Sequence, residues 1–440
     1  MRRTTTALVL AALLTVGVTA CQQPPPPNNV AIAQLDGVGQ MGSDPVISRT
    51  GRYVTYSSPV ADIIPGFSGL QLYRYDLANN TIQPVSVSPT GLPAGGGGAL
   101  NTYSTTSMSS DGRFVAFSSN ATNLVAGDTN KDDDVFVRDM DTGVTVRVSQ
   151  RADGQQVQKG SYRPVISGNG TWVAFQTKAV GLVANDTAVD DGTDDVYRWN
   201  RLTNEMTRVT IGRTADGGTT ETLKDSSAVS VFNDGRVVLR SYSNNLIAGL
   251  LPPEVTSYFT YIANPEAQTM QFLSQTPGGG LSYDAPVRVT PDGRWALYQS
   301  GNAGWLPSET LPGYALLVRD LSTGAIVGGP RDLDGNIISA TNEVAITSNG
   351  RFVAFTTAAT NIVPGTSGNK QRGYIWDRTT DTIVRWDRRY DGSETSGIMS
   401  GAFGLSDDGK IAIFQTKDLK MFSSAVGSNI VGIAPTRIPD

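Results

Sequence analysis

Ser109-Ser110-Asp111-Gly112-Arg113-Phe114-Val115-Ala116-Phe117 joins a tight turn to an apolar run, and the pairing returns along the whole chain. The turn recurs as Thr50-Gly51-Arg52, Asn169-Gly170-Thr171, Asp234-Gly235-Arg236, Asp292-Gly293-Arg294, Asn349-Gly350-Arg351 and Asp408-Gly409-Lys410. Successive turn glycines lie 61, 58, 65, 58, 57 and 59 residues apart. So regular a period marks a repeat architecture, in which each copy is one supersecondary unit.

Within the second copy, four short segments read as strands: 104–109, 113–119, 134–139 and 144–149, each bounded by turn residues. The second of them recurs as Tyr53-Val54-Thr55-Tyr56, Trp172-Val173-Ala174-Phe175, Trp295-Ala296-Leu297-Tyr298 and Phe352-Val353-Ala354-Phe355. These runs are apolar on both faces, as expected of a strand covered on each side by a neighbouring sheet. Four antiparallel strands repeated seven times predict an all-β fold, a seven-bladed β-propeller of four-stranded blades over residues 30–440. In the last copy a third strand is read at 419–422 and a fourth at 430–434. Residues 30–35 compete for the last place, and pairing the first and last segments removes two open edges, so the N-terminal strand is expected to close the ring.

The stretch 109–117, with Asp134-Val135-Phe136-Val137-Arg138-Asp139, Thr142-Gly143 and Val146-Arg147-Val148-Ser149, resembles the TolB-type, WD-like propeller repeat of secreted bacterial proteins. The resemblance spans roughly residues 30–440. It implies the fold, but it does not carry over the TolB partners.

The first twenty residues combine Arg2 and Arg3 with an apolar stretch from Ala7 to Val16, the pattern of a secretion signal over 1–20. Val18-Thr19-Ala20-Cys21 resembles a bacterial lipobox, which implies lipidation of Cys21, the single cysteine of the chain. Residues 21–29 hold four consecutive prolines and read as an extended tether of roughly 3 Å per residue, about 25 Å in all. The expectation is an exported lipoprotein of the cell envelope, on the outer membrane or facing the periplasm, touching the membrane through its lipid anchor only.

Composition narrows the function. There are 35 basic and 40 acidic residues, and the net charge of −5 argues against a nucleic-acid partner. Histidine is absent, which removes the usual general base and the commonest metal ligand. Of the acids, 33 are Asp and 7 are Glu, a bias that suits turns, where Asp side chains bond to nearby backbone.

Loop length points to a face. Connections between the first and second and between the third and fourth strands are tight, whereas those between the second and third strands and between blades are long. Binding residues concentrate on loops held by a rigid scaffold, so the long-loop face is the candidate surface for an envelope protein or glycan. Asp44, Arg163 and Glu343 align near the start of the innermost strand, at the expected channel mouth. Trp305, Arg388, Arg389 and Tyr390 fall in long loops and offer stacking and charge. Asp128, Asn130, Asp132 and Asp134 place oxygens at alternate positions, a spacing that can wrap Ca²⁺ but suits better a solvated loop whose acids cap turns. Asp186, Asp190 and Asp194 recur in the third copy. The reading that follows is a lipid-anchored binding or scaffolding module without catalytic residues. Its alternatives are a channel enzyme using paired carboxylates on polysaccharide, as a lyase or glycosidase, and a calcium-stabilised structural protein.

Overall fold

The computed structural model describes residues 30–34, 45–95, 106–184, 192–252, 254, 257–283, 286–340, 344–365, 370–387, 393, 404–416 and 430–435. Blade I contains β2 (Val46–Ile47), β3 (Tyr53–Ser58), β4 (Gln71–Asp76) and β5 (Thr81–Pro84). Blade II contains β6 (Thr106–Met108), β7 (Phe114–Ser119), β8 (Asp134–Asp139) and β9 (Thr145–Arg147). Blade III contains β10 (Ser161–Ile166), β11 (Trp172–Thr177), β12 (Asp195–Asn200) and β13 (Glu205–Arg208). A ribbon of β14 (Gly212–Arg213) and β15 (Thr219–Thr220) separates it from blade IV, which holds β16 (Ser226–Val231), β17 (Val237–Ser241), β18 (Phe259–Asn264) and β19 (Thr269–Phe272). Blade V has β20 (Pro286–Val289), β21 (Trp295–Ser300), β22 (Ala315–Asp320) and β23 (Ile326–Gly328). Blade VI has β24 (Val344–Ile346), β25 (Phe352–Thr357), β26 (Arg372–Asp377) and β27 (Thr382–Arg385).

The expectation of seven equivalent blades is corrected to six blades built from four consecutive strands each. The remaining sheet is a composite of both chain ends: β28 (Gly404–Leu405), β29 (Ile411–Thr416) and β30 (Ile430–Pro435), with β1 (Val30–Gln34) pairing antiparallel to β30. Residues 430–435 pair with β29 and so take the third-strand place rather than the fourth. The strand read at 419–422 lies outside the described residues. The last copy therefore ends on an outer edge that β1 covers, which is why it is not a further copy of the repeat.

Apolar clusters sit between sheets. Phe114, Val135, Phe175 and Tyr197 fill the II/III boundary, and Leu316, Val353, Phe355 and Tyr374 fill V/VI. Second strands are consequently buried along nearly their whole length, as in β7.

The repeat turn is held from both sides. In blade II, Ser109 Oγ accepts from Phe114 N at 2.9 Å and donates to Asp111 Oδ1 at 2.6 Å, and that oxygen accepts from Arg113 N at 3.0 Å. Thr290 with Asp292 and Thr347 with Asn349 repeat the arrangement. The glycine is required because its φ is positive and the preceding blade lies against it: a Cβ on Gly112 (φ +79°) would fall 2.3 Å from the Tyr53 ring. Arg74 stacks 4.1 Å over that ring and donates to the Gly112 carbonyl at 2.6 Å. Trp172, Arg198 and Gly235 form the same stitch between blades III and IV. Blade IV has Val237 where others carry a ring, and Phe232, in the Ser/Thr place, covers Gly293 instead.

Candidate functional site at the long-loop mouth

Each innermost strand contributes to the wall of a central cavity of about 420 Å³. At the tight-turn end, neighbouring turns bond to one another: Ser110 N to Gly168 O (2.8 Å), Asn233 N to Pro291 O (3.2 Å) and Asp407 N to Arg49 O (2.8 Å). Ser348 N donates to Asp407 Oδ1 at 2.7 Å, so the composite sheet bridges blades VI and I. Around the place a Gly168 Cβ would occupy, Ser110 Oγ lies at 2.7 Å, Asn233 Oδ1 at 3.2 Å and Pro291 Cβ at 3.4 Å. These residues converge across the axis and narrow the cavity there.

On the opposite face, side chains of blades III and IV gather. Tyr162 and Arg163 begin β10, where the register with β11 slips between Tyr162 and Val165. Arg163 is exposed with φ +54°, a strained bulge position that re-aims its side chain. Asp194 precedes β12; its N–H donates to Asp225 Oδ1 at 2.8 Å, and its carbonyl accepts from Ser226 N at 2.7 Å. Tyr242 and Tyr258 flank the 244–257 loop with ring centroids 3.5 Å apart, and Tyr258 is 45% exposed.

The electrostatics connect these groups. Burial pushes the Asp194 carboxyl up to about 6; Lys178 and Arg163 pull it down, while Asp225 and Asp195 push with the burial. Asp194 Oδ2 accepts from Gln176 Nε2 at 3.3 Å, and its Oδ1 is buried without a hydrogen-bond partner. The hydrogen bond with Tyr242, with burial next, raises the Tyr258 hydroxyl to about 12, and Arg163 and Asp225 also act on it. Burial raises the Tyr162 hydroxyl, and Asp194, Asp133, Asp132 and Asp225 add to the effect. The result is a cluster of exposed and half-buried aromatic, acidic and basic groups beside the cavity mouth.

A second acidic cluster lies in the blade II loop. Asp134 Oδ1 accepts from Ser149 Oγ at 2.6 Å, and Arg147 Nη1 lies 3.8 Å from Asp134 Oδ2. Gln156 Nε2 donates to Asp134 Oδ2 at 2.8 Å and to Asp128 Oδ1 at 2.9 Å, while its Oε1 accepts from Thr129 N at 3.1 Å. Burial pushes Asp134 up to about 6 against the Ser149 and Gln156 bonds, with Asp128 repelling. Asn130 turns to the Val157 carbonyl at 3.0 Å, and Asp132 is exposed. A cation between Asp128 and Asp134 would have to displace the Gln156 amide. Among the described residues, no group of three or more His, Cys, Asp or Glu gathers in a metal-holding arrangement.

Of the residues singled out in the sequence, Arg163 and Asp194 come together here, and Asp128 and Asp134 meet in blade II. Cys21, Asp44, Asp186, Asp190, Glu343, Arg388, Arg389 and Tyr390 lie outside the described residues. Trp305 requires a correction: it is 1% exposed, 4.5 Å from the Tyr298 ring, with Nε1 donating to Ser282 Oγ at 3.1 Å. Its apolar surface is spent on the blade V core, so it offers no face to a ligand. Tyr162, Tyr242, Tyr258, Asp225 and Gln156 were missed; the tyrosines' one sequence signal is their place at strand ends bordering long loops.

No protein-family profile and no curated protein matches the chain. Among solved structures, the β-propeller domain of the Trilobed protease from Pyrococcus furiosus is similar at 13% identity and TM-score 0.50, covering 89% of this chain and 92% of that one. Acylaminoacyl peptidase from Pyrococcus horikoshii is similar at 12% identity and TM-score 0.49, over 91% of this chain and 52% of that one. TolB from Acinetobacter baumannii is similar at 14% identity and TM-score 0.40, over 76% of this chain; the alignment spans 63% of the TolB length. At 13% identity the likeness to the Trilobed protease domain supports the propeller fold and nothing finer.

Proposed function

We propose that this protein is a binding module that captures an envelope protein or glycan at its long-loop mouth, through Arg163, Asp194, Asp225, Tyr242 and Tyr258. The observation that carries the reading is their convergence from two blades onto one partly exposed patch. Tyr and Arg are the residue types that dominate binding energy at interfaces, and Asp194 holds a buried acceptor oxygen without a partner. The secretion signal, Cys21 and the proline tether support an exported, lipid-anchored location in the envelope.

The test is affinity capture from an envelope extract with the full chain and two variants. Tyr258→Ala with Asp225→Ala should lose the captured partner, whereas Arg113→Ala, on the opposite face, should retain it. Retention by the first variant would overturn the site. Lipidation is checked by acyl-chain labelling, which Cys21→Ser should abolish.

One observation favours carboxylate chemistry as a second reading: Asp194, raised to about 6, lies beside Asp225. Polysaccharide cleavage lost in Asp194→Asn would support it. A calcium-stabilised role for the Asp128–Asp134 loop stands apart from both, and a melting temperature lowered by chelator would establish it.

A further inference from the structure

The mouth cluster holds more acceptors than its own donors satisfy. Gln176 is 8% exposed and gives Nε2 to Asp194 Oδ2, while its Oε1 is buried without a hydrogen-bond partner, as is Asp194 Oδ1. Tyr162 is the cross-strand partner of Gln176, so the two side chains lie on one face of blade III. Asp225 is exposed; its Oδ1 takes the Asp194 N–H, and among the described residues nothing donates to its Oδ2. The charges about Asp194 offset one another, with Lys178 and Arg163 set against Asp225 and Asp195. Ring surface adjoins these groups. Tyr258 is 45% exposed beside Tyr242, and Tyr283, 67% exposed, sets its ring 5.7 Å from that of Phe259, the residue after Tyr258.

We propose that the ligand of the long-loop mouth is a neutral oligosaccharide, with one pyranose ring stacked on Tyr258 and its hydroxyls shared among Arg163, Asp225 and the side chains of Asp194 and Gln176. The inference rests on the mouth being the binding site and narrows what that site takes. A hydroxyl donates and accepts at once, so neighbouring hydroxyls suit a site that mixes an exposed guanidinium with bare carboxylate and amide oxygens. Buried acceptors without donors are costly, and an O–H from the ligand removes that cost. The offset charges disfavour a ligand of either sign, because a net charge meets its like at close range. The electron-rich face of a tyrosine attracts the polarised C–H groups on the apolar side of a sugar ring. Tyr283 extends the aromatic surface toward blade V, which suits a chain of sugar units better than a single one.

The test splits an envelope extract into two arms. One is digested with protease, which is then inactivated, and the other is oxidised with periodate, which cleaves vicinal diols. Each is offered to the immobilised full chain, and bound hexose and bound protein are measured. The protease arm should still deliver hexose, and the periodate arm should lose nearly all capture. Hexose capture should change less than about twofold in 1 M salt, since a neutral ligand has no charge to screen. Tyr258→Ala should weaken it about tenfold or more, whereas Tyr258→Phe, which keeps the ring, should stay within about threefold of the native chain. Capture that survives periodate and is lost to protease, with the same dependence on Tyr258 and Asp225, overturns the oligosaccharide and leaves the mouth as a protein-binding site. Hexose capture that is abolished by 1 M salt, or is equal in Tyr258→Ala and the native chain, also overturns the inference. An extract from which the native chain captures nothing overturns both.

Discussion

The two faces of the disc handle repetition in opposite ways. On the tight-turn face, the same residue types perform the same task from blade to blade: a hydroxyl and an Asp or Asn hold the turn, and a glycine receives the ring of the preceding blade. On the long-loop face the backbone link repeats, with Ser161 N donating to Asp133 O (2.6 Å) and Ser226 N to Asp194 O (2.7 Å), but the side chains diverge. The first residue of the third strand shows this. Gln71, Asp134 and Asp195 occupy one position and accept from Ser86, Ser149 and Thr210 respectively, and Arg372 takes it in blade VI. Geometry is kept at one end of each blade, and chemistry is varied at the other.

The largest effect that separates the faces should come from glycine. Gly112 and Gly127 both have positive φ, +79° and +74°, but a Cβ meets the Tyr53 ring at the first and open space at the second. Gly127→Ala should cost about 1–2 kcal/mol, the penalty of a left-handed L residue. Gly112→Ala adds overpacking against Tyr53 and should cost about 3 kcal/mol or more. Denaturant midpoints measure both. Equal losses would mean that the repeat turns are not the joints between blades.

A smaller effect, of opposite sign on the two faces, comes from pH. On the tight-turn face, Asp76, Asp139 and Asp377 are held down to about 2. The arginine hydrogen bond is the largest cause in the first two; in Asp377, burial opposes and is overcome by Arg351 and Thr379. Folded pKa values below the ordinary value give stability that is present above about pH 4 and lost as pH falls toward 2. Asp134 behaves in reverse. Its folded value of about 6 means that the native state holds a proton the unfolded chain has released, so stability falls as pH rises from about 4 to 6. The slope approaches 1.4 kcal/mol per pH unit, an order-of-magnitude figure, for about 2–3 kcal/mol in all. Asp134→Asn should flatten it, and the remainder should belong to Asp194, raised likewise. A slope unchanged in Asp134→Asn would remove Asp134 as its source.

What the sequence disclosed follows the same division. Turns such as Asp111-Gly112-Arg113 were legible because local hydrogen bonds and a positive φ demand particular residues at fixed offsets. The stitch of Arg74 and Arg198 onto glycines of the next blade was not legible, since it joins residues 38 and 37 positions apart through a ring from a third place. The mouth cluster was half legible: Arg163 and Asp194 stood out as charges, but Tyr242 and Tyr258 meet only because β17 and β18 are paired. Trp305 was misread because a long loop with a large aromatic looks the same in sequence whether the ring turns outward or, as here, inward onto Tyr298. The blade count failed at the chain ends, where turn periodicity counts copies but does not say which segments fill each sheet.

The smallest effect tests how much of the tight face is electrostatic. Arg113 binds Asp139 in a two-pronged pair, Nε at 2.9 Å and Nη2 at 2.8 Å, and its guanidinium lies 4.8 Å over the Phe114 ring. Blade IV ends its third strand in Asn264, and Arg236 turns back to Asp234 at 2.8 Å, which leaves β17 and β18 without the ionic tie. The Arg113 side chain is 41% exposed, so Coulomb attraction is screened and Arg113→Ala should lower stability by less than either glycine substitution. Arg236→Ala should cost less than half of that, since Asp234 is exposed and two residues away in the same turn. In 1 M salt the difference between the variants should shrink, because the Debye length falls to about 3 Å. If it persists, the Phe114 contact rather than the charge is what Arg113 contributes to blade II.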